Sequence, residues 1–172
     1  MDRLEQIASQ IESKKAPPVD KWKPEHEGEI DISIDVNGNW FHEGDPISRP
    51  QLVSLFSSIL WCESEIHYLV TPAEKLSIRV ADVPYIIQQA ELVEGNWVVT
   101  TNTSEAVIIS TQNPVVLRKF QDQWVPYVNI RFDLWARVNR SIYYQWVEQA
   151  LEQSESLELS SGSYSFKVSS LV

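Results

Sequence analysis

The alternation of apolar and polar positions is clearest at Ile30, Ile32 and Ile34, which interleave with Asp31, Ser33 and Asp35 in the period-two pattern of a half-buried strand. Asn37-Gly38 then predicts a tight hairpin turn, and Trp40 starts the returning strand. Upstream, Leu4, Ile7, Ala8 and Ile11 recur at helical spacing until Ala16-Pro17-Pro18 stops them. Leu52, Val53, Leu55, Phe56, Ile59 and Leu60 predict a helix with one apolar face, opened by Pro50 in its first turn. Ile66 to Val70 and Leu76 to Val80 read as strands joined across Thr71-Pro72, where the proline cannot donate to a ladder.

Ala81 to Pro84 is the expected seam, dividing the chain into an amino-terminal α+β half over 1–82 and a carboxy-terminal half over 83–172. Beyond it, strands are predicted at Tyr85 to Val93, Trp97 to Thr103, Ala106 to Ser110, Val115 to Phe120 and Trp124 to Arg131. Asp133 to Leu151 reads as a helix with a break near Asn139 to Ser141, and Leu157 to Val168 as a closing hairpin. A polar turn, Trp40 and then Arg49-Pro50-Gln51-Leu52 resemble a polar turn, Trp124 and then Arg131-Phe132-Asp133-Leu134. The fold class expected is therefore α+β, in two halves with a repeated hairpin-helix plan.

Composition narrows the function classes. With 172 residues and 43 % hydrophobic content the chain can bury a sizeable core. A formal charge of -10 argues against general nucleic-acid binding, which needs clustered cations in excess of nearby carboxylates. The single cysteine, Cys62, fits a reducing compartment. The charged segment Met1 to Lys15 lacks the apolar run of a secretory signal, and no stretch has the length of a membrane span, so a cytoplasmic location is expected. The sequons at Asn102 and Asn139 then carry no meaning.

Ser33, Asp35, Asn37 and Gly38 imitate the start of a calcium loop, but its last ligand position holds Gly44, which favours a plain hairpin. His26, His42 and His67 lack metal-ligand spacing, so no metal and no cofactor is expected. No phosphate-cradling glycine motif, nucleophile elbow or H-E-x-x-H is present. The acids Glu25, Glu27, Glu29 and Asp31 read as a solvated face, and Cys62 as a packed thiol.

The cations carry more. Lys75 and Arg79 fall on one face of a strand, about 13 Å apart at roughly 3.3 Å per residue. Tyr127, Asn129 and Arg131 share a face of another strand, so two such faces together could line a cleft for an anion and a planar ring.

Gly28-Glu29-Ile30-Asp31-Ile32, Gly44 to Pro50, Leu69-Val70-Thr71-Pro72-Ala73-Glu74-Lys75, Ile78-Arg79-Val80 and Pro126 to Arg131 resemble the bacterial family named domain of unknown function 1285, with Thr71 to Lys75 the most specific match. The resemblance implies a repeated α+β plan, a carboxy-terminal half similar to pleckstrin-homology-like domains, a nucleotide-like ligand between the halves and a role in signal transduction. The combined reading is a non-enzymatic protein that binds a small anionic ligand in that cleft. Arg49, Lys75, Arg79 and Arg131 would pair with the anion, Trp40 and Tyr127 wall the pocket, and Thr71 and Asn129 orient it. A module that docks a protein partner through strand edges and aromatics is the rival, and an enzyme ranks third.

Overall fold

In the computed structural model the description covers residues 2–13, 16–153 and 155–170; Met1, Lys14, Lys15, Ser154, Leu171 and Val172 lie outside the described residues. Helix α1 (Arg3–Ser13) is followed by a single 3-10 turn at Val19–Lys21. The first sheet contains β1 (His26–Ile34), β2 (Trp40–His42), β3 (Asp45–Pro46), β4 (Leu60–Glu63), β5 (Ile66–Val70) and β6 (Glu74–Val80), with α2 (Pro50–Ser58) inserted between β3 and β4. The second contains β7 (Tyr85–Val93), β8 (Asn96–Thr101), β9 (Ala106–Ile108), β10 (Val115–Phe120), β11 (Gln123–Arg131) and β12 (Leu134–Val138). Helix α3 (Arg140–Gln153) and the hairpin β13 (Glu158–Ser161) with β14 (Tyr164–Lys167) complete the chain.

The two sheets have one topology. The first runs β3-β2-β1-β6-β5-β4 and the second β9-β8-β7-β12-β11-β10, so each half is two meanders joined by a parallel pairing of its first and last strands. Each half is a curled mixed sheet with a helix, the fold is α+β, and the carboxy-terminal half is pleckstrin-homology-like.

The residue-level correspondence expected between Trp40-Arg49 and Trp124-Arg131 does not hold. Trp40 opens the second strand of its half, where the other half places Trp97; Trp124 lies on the fifth strand of its half. Arg49 caps α2, whereas Arg131 ends β11 and leads through Phe132 and Asp133 into β12. Leu134, Ala136 and Val138 alternate into the core, and this period of two overrides the helix expected from Asp133. The helical period begins with Ile142, Tyr143, Trp146 and Ala150, and Asn139 caps that helix by accepting the Ile142 N–H at 2.9 Å. Leu60 likewise leaves the predicted helix and starts β4, paired with Leu69 and fully buried.

One apolar core runs through both halves, with Ile32, Trp40, Leu60 and Leu69 of the first continuous with Tyr85, Val99, Val128, Leu134 and Trp146 of the second. Where the two sheets meet, side-chain donors of the second half reach carbonyls of the first. Asn102 Nδ2 donates to the Gly38 carbonyl at 3.1 Å, Arg137 Nη2 to Val36 at 2.5 Å, and both Arg131 Nη2 (2.6 Å) and the Tyr85 hydroxyl (2.9 Å) to Ser57. Side chains of the second half thus satisfy loop and helix-end carbonyls of the first. Among the described residues no helix is long and apolar enough to cross a membrane.

Gly38 is where this junction leaves no room. Its φ is +81°, and a Cβ there would sit 2.6 Å from Asn102 Nδ2 and 2.9 Å from Ile86 Cγ1, whereas Gly44, at φ +84°, faces open space. Gly44→Ala should cost only the left-handed backbone penalty of about 1–2 kcal/mol. Gly38→Ala should cost about 1–3 kcal/mol more by overpacking the junction, read as a larger fall in the urea midpoint.

Candidate functional site

The eight residues singled out in the sequence occupy four different environments. Trp40 is buried and stacks on Phe56 at 6.2 Å, holding α2 to the first sheet. Thr71 closes the β5–β6 turn, its hydroxyl accepting the N–H groups of Ala73 and Glu74 at 3.2 and 3.1 Å. Lys75 pairs with Glu63 at 2.7 Å and with Glu27 at 3.8 Å, and the hydrogen bond to Glu63 raises its pKa. Arg79 pairs with Asp31 at 2.5 Å on the surface, where the two side chains remain 66 % and 54 % exposed. Arg49 is exposed at the start of α2.

Tyr127, Asn129 and Arg131 lie at or near the junction but are committed to it. The buried Tyr127 hydroxyl donates to Asp82 Oδ2 at 2.9 Å, and burial followed by that carboxylate pushes the phenol well above its ordinary pKa. Asn129 ties the β11–β12 turn by donating to the Phe132 carbonyl at 2.8 Å. Arg131 is ion-paired with Glu105 while reaching across to Ser57. Burial alone would lower its pKa, but Tyr85 and Glu105 facing it outweigh that effect and hold it up. Lys75 and Arg79 share their strand with no contribution to the cavities at the junction; Arg131 lines one of these.

Several cavities are lined by residues of both halves, and two of them contain arginines of the junction. One, of about 620 Å³, lies under α1 against α2, the β8–β9 turn and the end of β11, and contains Arg131 with its partner Glu105. The other, of about 320 Å³, opens where the β1–β2 turn of the first half meets β7, the β10–β11 turn and the start of α3. Arg137 and Arg140 line it together with the amides of Asn37, Gln121, Gln123 and Asn139, and no Asp or Glu is among its described lining residues. In a chain with 24 acids and 14 Lys plus Arg, that is an unusual wall.

Its arginines play different parts. Arg137 is nearly buried and rigid, bound to Asp82 at 2.6 Å and to Val36, with its guanidinium 3.8 Å from the Phe120 ring centroid. Arg140 is exposed and forms no ion pair among the described residues, so its charge is free for a ligand. The first turn of α3 adds the positive end of a 14-residue helix. Tyr143, whose hydroxyl is 2.7 Å from Ser169 Oγ, and Phe120 supply ring surface. Sequence reasoning missed these residues because Asn139-Arg140-Ser141 was absorbed into a helix break; recognising Asn139 as a cap would have placed Arg140 at a helix start.

The remaining chemistry is structural. Asp35 Oδ1 accepts the N–H groups of Asn37 and Asn39, both at 2.9 Å, so the calcium-like segment is a hairpin turn closed on its own carboxylate. Cys62 and His67 face each other across β4 and β5, the thiol raised by burial and Asp133, the imidazole lowered by burial. Among the described residues no group of three or more His, Cys, Asp or Glu could hold a metal ion.

The fold and its junction define a duplicated α+β protein with an arginine-lined cavity at the seam between its halves. The chain belongs to the DUF1285 family: the model of the domain of unknown function's N-terminal domain matches residues 17–83 and that of its C-terminal domain residues 84–168. A DUF1285 family protein from Silicibacter pomeroyi DSS-3 superposes with a TM-score of 0.84 at 33 % identity, covering 99 % of this chain and 97 % of that one. A second, from Shewanella baltica OS155, gives 0.57 at 25 % identity over 69 % of this chain and 91 % of that one. No curated protein matches the chain.

The Asp82–Arg137 pair is 23 % and 9 % exposed, and removing the acid strands a buried guanidinium and the Tyr127 hydroxyl. Asp82→Ala should therefore destabilise the protein by about 3 kcal/mol. Asp31→Ala, which frees only surface Arg79, should cost less than about 1 kcal/mol, and chemical denaturation of the two variants measures the difference.

Proposed function

We propose that this protein is a non-enzymatic, cytoplasmic receptor for a small anionic, nucleotide-like ligand, held in the cavity between its halves, and that occupancy of that cavity serves signal transduction. The observation that carries this reading is the acid-free wall bearing Arg137 and Arg140 in a chain of net charge -10. An anion placed there meets the uncompensated Arg140 guanidinium and a helix start, both favourable to negative charge, beside the Arg137 guanidinium, whose charge Asp82 already meets. Phe120, whose ring carries the Arg137 guanidinium, and the buried Tyr143 line the cavity beside it. A cavity of about 320 Å³ sits at the low end of the range for small-molecule sites, which suits one phosphorylated small molecule.

In this reading the anion-binding role passes from Lys75 and Arg79, whose charges are met by Glu63, Glu27 and Asp31, to Arg137 and Arg140. Docking of a protein partner is the second reading. It is favoured by Phe132, held at φ +50° and 47 % exposed while its ring packs on Trp61 at 5.1 Å, a strained position for an aromatic residue at the surface.

A thermal-shift screen with pyrophosphate, nucleoside monophosphates and cyclic nucleotides tests the proposal. A bound compound at a hundred times its dissociation constant adds about 2.7 kcal/mol and raises the melting temperature. Arg140→Ala should weaken binding of that compound by about 1.5–3 kcal/mol while leaving the unliganded melting temperature unchanged. Failure of every phosphorylated compound to shift melting, or a shift that survives Arg140→Glu, would overturn the anion site.

A further inference from the structure

A further cavity, of about 460 Å³, shares the Asp82–Arg137 pair with the arginine-lined one: Asp82 lines the former and Arg137 the latter. The β4–β5 hairpin contributes Glu65 and His67 to its wall, and the second half contributes Arg118, Asp133 and Trp135. Charges of both signs line this cavity without meeting each other. Arg118, Glu65 and Asp133 are all exposed, and none of them forms an ion pair among the described residues, whereas Lys75, Arg79, Arg131 and Arg137 each have an acid. Asp82 is already neutralised by Arg137, so the charges left for a ligand to answer are one guanidinium and two carboxylates.

Trp135 holds both signs in place. Its ring lies 4.8 Å from the Arg118 guanidinium, which also lies over Tyr127 at 5.2 Å, and none of the Arg118 N–H groups has an acceptor among the described residues. The indole N–H of the same tryptophan donates to Asp133 Oδ1 at 3.0 Å and orients that carboxylate. His67 is half-buried and makes no hydrogen bond among the described residues. Burial lowers its pKa, so near neutral pH it offers an uncharged ring nitrogen as an acceptor.

We propose that this cavity binds a basic amino acid as its dipolar ion, with the carboxylate on Arg118, the α-ammonium on Asp133 and the side-chain cation at Glu65. The charges select the class of ligand. A simple anion would be repelled by Glu65 and Asp133, and a simple amine would leave Arg118 unanswered, whereas a basic amino acid meets all three. The imidazole of His67 gives the α-ammonium a second acceptor, and the volume lies within the range of small-molecule sites. This site differs in chemistry from the arginine-lined cavity, which has no acid among its described lining residues.

Isothermal titration calorimetry of the full chain with L-lysine, cadaverine and L-norleucine tests the assignment, because cadaverine lacks the carboxylate and norleucine lacks the side-chain amine. L-lysine should bind saturably at one site per chain and at least about tenfold more tightly than either analogue. Arg118→Ala should weaken L-lysine about tenfold and leave cadaverine unchanged, while Glu65→Gln should weaken L-lysine about tenfold and leave L-norleucine unchanged. Both side chains are exposed and unpaired, so the two variants should keep the wild-type melting temperature. Arg140→Ala should leave L-lysine binding as it is, which separates this site from the anion site. No saturable binding of L-lysine, equal affinity for either analogue, an affinity unaltered by both Arg118→Ala and Glu65→Gln, or loss of L-lysine binding in Arg140→Ala would overturn the proposal.

Discussion

The structure depends on the delivery of hydrogen-bond donors from one half of the chain to orphan carbonyls of the other. Val36, Gly38 and Ser57 expose carbonyls at a hairpin turn and at the end of α2, where no ladder or helix partner exists for them. Arg137, Asn102, Arg131 and Tyr85 supply the missing donors. Each arginine is in turn anchored by a carboxylate, Asp82 or Glu105, so a buried cation is neutralised by one group and spent on another. A sheet pair that could have been two separate domains is tied into one body with a continuous core.

That arrangement also explains how a strongly acidic chain can present a positive cavity. Several of its cations are met by nearby acids: Lys75 by Glu27 and Glu63, Arg79 by Asp31, Arg131 by Glu105. Where the β10–β11 turn and the start of α3 meet the β1–β2 turn, the cavity is lined by glutamines and asparagines, while Asp122 and Asp35 of those turns are not among its described lining residues, and Arg140 forms no ion pair among the described residues. Net charge describes the outer surface and its solubility; it does not predict the sign of a local wall.

Sequence pattern made the period-two segments legible. The Ile30 to Ile34 strand, the Asn37-Gly38 turn, the helix after Pro50 and the closing hairpin all appear where alternation and turn residues place them. It failed where two periods overlap. Leu134 to Val138 carries buried residues on alternate positions immediately before a genuine helical stripe, and only the β7 and β11 partners reveal the strand. The duplication was legible as a fact but misplaced in register, because tryptophans and arginines mark it less faithfully than strand order does. Of the candidate site, Arg131 and Tyr127 reach the junction, but whether a cation is free or paired depends on carboxylates such as Glu63, Glu105 and Asp82 that are distant in sequence.

The claim on which the rest stands is that the two halves form a single cooperative unit locked at the junction. Differential scanning calorimetry of the intact chain tests it most directly. The account predicts one unfolding transition whose calorimetric and van't Hoff enthalpies agree, with a ratio of about one. Two resolved transitions, one for each sheet, would contradict it, because a junction held by buried arginines and a continuous core cannot release one half while the other stays folded.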